Sequence, residues 1–259
     1  IAAGLDYNAG GCRYTVRSPH IGGAPDAGNS LYAIRKAVFA DNLTTLDHLL
    51  DAIENNWEGE EILRQRILTG YTYYGNDNEE ADAVTAELLD RFADMVLAYK
   101  GKAPFFYIPG VSTFGRQIDW LEQRTATPFG MKKGAILAGN ASPTPGTDKE
   151  GATSIIESYC RADLGKQVCG AALDVKLHPS ATRGENGLSG IVALLKGFVA
   201  LDGYFLQLDV IDGEVLRRAQ EDPEAYKTLS VRVSGWNARF VTLNRRWQEM
   251  IIERTATGL

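Results

Sequence analysis

Apolar positions along the chain switch between helical and strand periods, and the switching predicts its elements. Leu31, Ile34 and Val38 recur at helical spacing behind Ser30, which stands where a helix N-cap is expected. Thr44 and Asp47 read as a capping box, and Leu46, Leu49, Leu50 and Ile53 fall at i, i+3, i+4 and i+7, a one-sided amphipathic helix. Val84, Leu88, Phe92, Met95, Val96 and Tyr99 predict a longer helix with Glu79, Glu80, Asp82 and Asp90 on its outer face. Gly75-Asn76-Asp77 is the turn before it.

The middle of the chain has a different pattern. Phe105 to Ile108 is a short apolar run that suits a buried strand, broken by Pro109-Gly110. Turn-rich pieces follow to Gly151, and a stretch this long with little regular structure points to a functional loop region. Beyond it, Leu173, Val175 and Leu177 alternate with Asp174 and Lys176, and Leu206, Leu208 and Val210 alternate with Gln207 and Asp209: two half-buried strands. Leu188, Ile191, Leu195 and Phe198 predict a helix between them. Val215, Leu216 and Ala219 predict another, ending near Pro223, and Leu243, Trp247, Met250 and Ile251 predict a last one. Val231-Arg232-Val233 reads as a short strand. Strands alternating with helices make the class α/β. No internal repeat or low-complexity linker divides the 259 residues, so one domain is expected.

Composition narrows the functional classes. With 44% hydrophobic and 23% charged residues, the chain has enough apolar material for a packed core, which excludes disorder. A net charge of −6 argues against sequence-independent nucleic-acid binding. No apolar run reaches the roughly 20 residues of a membrane span. Cys12, Cys160 and Cys169 are too few and scattered for a disulfide framework or zinc site, and His20, His48 and His178 lack metal-ligand spacing, so a reducing, cytoplasmic setting is expected and no metal.

Residue patterns alone supply no Ser-His-Asp order and no phosphate loop. The glycine pairs at 10–11 and 22–23 do not open a helix after a strand. Asp6, Asp77, Asp148 and Asp209 stand apart and read as turn or cap ligands. Gly235, after the strand at Val231, reads locally as a hairpin glycine.

Arg232-Val233-Ser234-Gly235-Trp236, followed by Phe240, Leu243, Gln248, Ile251, Ile252, Arg254 and Thr255, resembles the glycyl radical signature of the pyruvate formate-lyase-like glycyl radical enzymes. The likeness runs along the whole chain: Asp6-Tyr7-Asn8-Ala9-Gly10-Gly11, Ser30-Leu31, Gly75-Asn76-Asp77, Ala126-Thr127-Pro128, Ser142-Pro143 with Gly146, Gly151-Ala152, Ala219-Gln220, and Pro223-Glu224 with Tyr226 recur in the family's order.

The resemblance implies the second half of a ten-stranded α/β barrel spanning residues 1–259, with the glycyl radical domain at about 200–259. It implies that Gly235 stores a radical, with Arg232, Trp236 and Phe240 holding its loop. The radical would be installed after translation by a radical-SAM activating enzyme, with no bound cofactor. Without a Cβ, the Cα radical can flatten and delocalise into the flanking amide and carbonyl. The family's radical cysteine lies upstream of the Asp6 turn. The expectation is therefore that this chain is inactive without a cysteine-bearing N-terminal half of the catalytic subunit. Cys12 is expected to be a packed small residue.

Two departures point to a specialised subgroup: Thr127-Pro128-Phe129-Gly130-Met131 loses the family's acid and base, and Asp209 replaces a common asparagine. Trp236, Asn237-Ala238-Arg239-Phe240 and Trp247-Gln248 are most similar to the arylalkylsuccinate synthases, the benzylsuccinate synthase type, which add a toluene-like methyl carbon to fumarate. That implies anaerobic hydrocarbon degradation, an oxygen-sensitive protein, hydrocarbon and fumarate as substrates, and small accessory subunits as partners. Ile21, Phe106, Ile108 and Val111 are then the substrate wall, since an apolar lining suits a hydrocarbon. The alternatives are another branch, such as formate acetyltransferase or a C–N or C–O lyase, and a non-catalytic spare part that restores an oxygen-cleaved enzyme.

Overall fold

The structure is a computed structural model and describes residues 4–101, 105–113, 116, 118–233 and 237–256. In chain order it contains β1 (Thr15–Arg17), β2 (His20–Ile21), α1 (Ala24–Ile34), α2 (Leu46–Glu54), α3 (Glu61–Gly70), α4 (Glu79–Ala98), β3 (Phe105–Tyr107) and β4 (Gly110–Val111). There follow α5 (Gly151–Tyr159), β5 (Leu173–Leu177), α6 (Gly184–Ala200), β6 (Leu206–Val210), α7 (Gly213–Glu221), β7 (Ser230–Arg232), β8 (Asn237–Arg239) and α8 (Arg245–Ala256).

The first six strands are parallel, as helical crossovers require. β1 pairs with β3, β2 with β4, and β5 with β6 in the register Leu173↔Leu206 to Leu177↔Val210. Pro19 and Pro109 interrupt the first two ladders because proline has no N–H to donate. The pairing resumes at once, with Ile108 N donating to Arg17 O and Gly110 N to Pro19 O, each at 3.1 Å. A parallel bridge between Val111 and Ala171 joins β4 to the β5 strand. The side-by-side order is therefore β1/β2, β3/β4, β5, β6: the α/β half-barrel expected from the sequence. β7 and β8 form a separate antiparallel hairpin.

Three apolar clusters hold these pieces. The largest seats α1, α4, α5 and α6 on one face of the strands through Ala24, Leu89, Ile156, Tyr159, Leu173 and Phe198. A second closes the α1–α4 bundle around Trp57, Ile67, Tyr73 and Phe129. The third belongs to the C-terminal unit, with Leu216, Val231, Val233, Phe240, Met250 and Ile251.

Several local expectations shift. α1 begins before Ser30, because Pro25 in its first turn is already preorganised for helix, and Ser30 Oγ donates back to the Asp26 carbonyl at 2.7 Å. Thr45 rather than Thr44 caps α2, accepting from His48 N at 3.2 Å. Asp82, placed outside by helical period, is buried, because Ser158 and Arg161 reach it from α5 and the turn beyond. α3 was not predicted. Phe106, assigned to a buried strand, is 54% exposed and meets Tyr14 edge-on. Leu188 and Leu195 lie on the exposed side of α6, whose apolar pattern runs nearly around the helix. Among the described residues no helix is long and apolar enough to cross a membrane.

Candidate functional site

The turn-rich stretch before α5 is held at fixed points. Gly75 has φ +100°, and a Cβ there would stand 2.3 Å from Pro143 Cγ, so only glycine lets the two turns touch. Next to it, Asn76 donates to Tyr73 O at 2.9 Å and Thr147 O at 2.7 Å. Its Oδ1 accepts from Lys149 N at 2.6 Å and Glu150 N at 3.1 Å. From α1, buried Asp26 accepts from Ala138 N and from Thr144 Oγ1 at 2.7 Å, and Tyr74 OH donates to Ala141 O. At the far side Ser142 Oγ accepts from Asp174 N, and Asn140 donates to Asp174 Oδ2, both at 2.9 Å. The motifs at 75–77 and 142–151, distant in sequence, thus build one wall.

That wall and the end of β5 enclose a cavity of about 340 Å3, whose polar lining includes Ser142, Asp148, Asp174, Lys176, His178 and Ser180. The period-2 pattern of β5 explains the lining: Leu173 and Val175 are buried in the core, which leaves Asp174 and Lys176 on the opposite face. β6 continues this polar face, with Gln207 opposite Asp174 and Asp209 opposite Lys176. Gln207 Nε2 donates to Asp209 Oδ1 at 3.0 Å. Burial pushes the Asp148 carboxyl up to about 6 against the pull of backbone N–H groups and the Lys176 charge. His178 Nδ1 accepts from Ser180 N at 3.2 Å, so in the neutral ring the proton sits on Nε2.

A smaller cavity of about 90 Å3 lies beside the hairpin, lined by Lys176, Asp209, Ser230, Arg232 and Ile251 among others. The hairpin and α8 are tied through buried groups. Phe240 is fully buried, and its carbonyl accepts from Gln248 Nε2 at 3.0 Å; Gln248 Oε1 accepts from Gln220 Nε2 at 3.2 Å. The signature residues Gln220, Phe240 and Gln248 therefore form one packed knot. Arg232 ends β7, half-buried. Gly235 and Trp236 lie outside the described residues.

None of the residues expected to form a hydrocarbon wall lines either of these two cavities. Val111 is 1% exposed inside the main core, and Ile21 packs against that core. Ile108 donates its amide to Arg17 O, and neither it nor Phe106 lines the two cavities. Cys12 is exposed rather than packed, Cys169 is exposed, and burial pushes the Cys160 thiol up to about 11. Asp6 is the turn ligand expected, accepting from Asn8 N, whereas Asp77 forms an ion pair with Arg161. Asp148 and Asp209 instead face cavities. Sequence reasoning gave Asp148 only a turn or cap role and assigned no site role to Asp174, Lys176 or His178, although the alternation through β5 already set two of them on its polar face.

Two family models match the chain in tandem: "Pyruvate formate lyase-like" over residues 1–118 and "Glycine radical" over residues 137–241. The trans-4-hydroxy-L-proline dehydratase of Clostridioides difficile is 32% identical over 98% of this chain, and the isethionate sulfite-lyase of Bilophila wadsworthia is 36% identical over 88%. The chain spans 32% and 28% of those relatives' lengths. Among solved structures, the glycerol-bound B12-independent glycerol dehydratase of Clostridium butyricum superposes with a TM-score of 0.90 at 32% identity, over 95% of this chain and 31% of that one. A glycyl radical enzyme from Archaeoglobus fulgidus gives 0.90 at 33% identity, over 98% and 32%. Three of these four are dehydratases or a sulfite-lyase, and none is a fumarate-adding synthase by its name. With the half-barrel, the knot of signature residues and both models in agreement, the chain belongs to the glycyl radical enzyme family.

Proposed function

We propose that this chain is the radical-bearing part of a glycyl radical lyase that eliminates a polar group from a small, hydroxylated or charged substrate. The observation that carries this reading is the lining of the larger cavity, where Asp148, Asp174, Lys176 and His178 would be costly to desolvate against a hydrocarbon. A substrate with hydroxyl, amine or anionic groups satisfies them. The names of the relatives support the same branch, and the addition of toluene to fumarate gives way to it.

In this reading Gly235 stores the radical after activation by a radical-SAM enzyme, and a cysteine carried by the N-terminal part of the catalytic subunit exchanges it with substrate. The thiyl radical takes a hydrogen atom from a substrate carbon. The neighbouring carbon then loses its leaving group, the departing group takes up a proton while the hydroxyl or amine on the radical carbon gives one up, so that charge balances, and the thiol returns its hydrogen atom to the product radical. Elimination needs a proton donor at the leaving group. Asp148 has the required chemistry, since burial keeps part of its carboxyl protonated near neutral pH.

The test is the activated, assembled enzyme offered glycerol, 1,2-propanediol, trans-4-hydroxy-L-proline and isethionate, and separately toluene with fumarate. Elimination product from one of the polar substrates is expected; an arylalkylsuccinate product overturns the reading. Activation should also give a carbon-centred EPR doublet, split by the one remaining α-hydrogen of Gly235 and lost in Gly235→Ala.

A further inference from the structure

Lys176 lines both cavities: the large polar one at the end of β5 and the small one beside Arg232. Among the described residues no other is common to the two linings. Its Cα is in register with Asp209, its charge acts on Asp148, and its Nζ donates to the Ile251 carbonyl of α8 at 3.4 Å. The C-terminal unit has its own core and meets the upstream chain through Ile118, Leu121 and Ile136. The ion pair of Arg246 with Glu122, also reaching α8, is exposed on both sides and is screened by solvent. Lys176 is half-buried on a paired strand, so its long contact to the Ile251 carbonyl is less screened by solvent than the exposed pair.

We propose that Lys176 is a positioning residue that seats α8, and with it the β7 and β8 strands between which Gly235 falls in the sequence, against the polar face of β5 and the larger cavity. A cation suits this place because its charge acts on the Asp148 carboxylate of the wall loop while its ammonium hydrogens reach a main-chain carbonyl across the boundary. The radical part of the inference rests on the role proposed for Gly235; the seating of α8 does not.

The experiment compares wild type with Lys176→Met, Lys176→Arg and Arg246→Ala in the assembled enzyme, by hydrogen exchange of peptides from α8 and α4 and by the lifetime of the EPR doublet under argon. In Lys176→Met, exchange in α8 should rise about tenfold while α4 is unchanged, since local opening reports the loss of a local tie. The doublet should decay faster, Lys176→Arg should restore both readouts, and Arg246→Ala should move neither. Unchanged exchange in α8, an equal rise in α4, or no restoration by arginine overturns the proposal. Faster exchange with an unchanged doublet lifetime overturns the link to the radical. If Lys176→Met does not assemble, Lys176→Gln is read in the same way, with a smaller rise expected and no rise overturning. A wild type that exchanges as expected but never gives a doublet refutes the radical role of Gly235 and leaves the seating of α8 standing.

Discussion

The side-chain amide of Gln248 donates to the carbonyl of Phe240 at 3.0 Å inside an apolar cluster, closing α8 onto the turn that follows β8. The carbonyl also accepts from Leu243 N at 3.1 Å, so the loss of Gln248 leaves it one partner. Gln248→Leu should destabilise the C-terminal unit by about 0.5–1.5 kcal/mol, the net worth of one hydrogen bond. Gln220 loses an acceptor in the same variant. Denaturant unfolding followed by the fluorescence of Trp247, in a background without the other tryptophans, measures the loss.

Asn76 uses both amide hydrogens and its oxygen, so it has no conservative replacement. Asn76→Asp would turn a donor toward the carbonyls of Tyr73 and Thr147 into a repelling oxygen. Asn76→Ala should cost about 2–4 kcal/mol, and Asn76→Asp at least as much. Limited proteolysis should find new cuts near Thr147–Glu150 in both variants, whereas wild type stays intact there.

Gly75 and Pro143 make a testable pair. Gly75→Ala puts a methyl group into the Pro143 ring and strains a backbone at φ +100°, with an expected loss of about 2–4 kcal/mol. Pro143→Ala makes room, so the double variant should lose less than the sum of the single losses, leaving the backbone strain of about 1 kcal/mol or more. Strict additivity in a thermodynamic cycle would show that the two turns do not press on each other.

Asp148 gives a pH signature with a defined sign. Its folded-state pKa is about 6 against an ordinary 3.8, so between these values the folded chain holds a proton that the unfolded chain has released. The stability it contributes is therefore greatest at the acid end and is lost as pH rises through about 6. Asp148→Asn cannot ionise and keeps the size and one oxygen of the carboxyl group. Near pH 4 the variant and wild type should melt together, and by pH 7 the variant should be more stable by about 1–2 kcal/mol. Melting curves across that range decide it, and a variant less stable at pH 7 would mean that the carboxylate is well paired.

Much of this protein is fixed by its sequence alone. The alternations at Leu173–Leu177 and Leu206–Val210 and the helical stripes before and after them are local properties of the chain, and each returns as an element. The signature at 232–255 is legible because it depends on residue identity at fixed short offsets, which folding cannot rearrange. The assembly of the site belongs to tertiary structure. Parallel pairing gives no sign in the sequence of which strands meet, so the neighbouring positions of Lys176 and Asp209 appear only once β5 lies on β6. Asp82 sits on an acidic helix start and reads as solvated, yet a serine and an arginine from 76 and 79 positions away make its burial affordable. The run Phe105–Ile108 and Val111 read alike as apolar wall, but Phe106 is outside and Val111 is in the core. Hydrophobicity records that a side chain prefers to leave water; whether it does so against a helix or a cavity is decided by which elements the fold brings to that face.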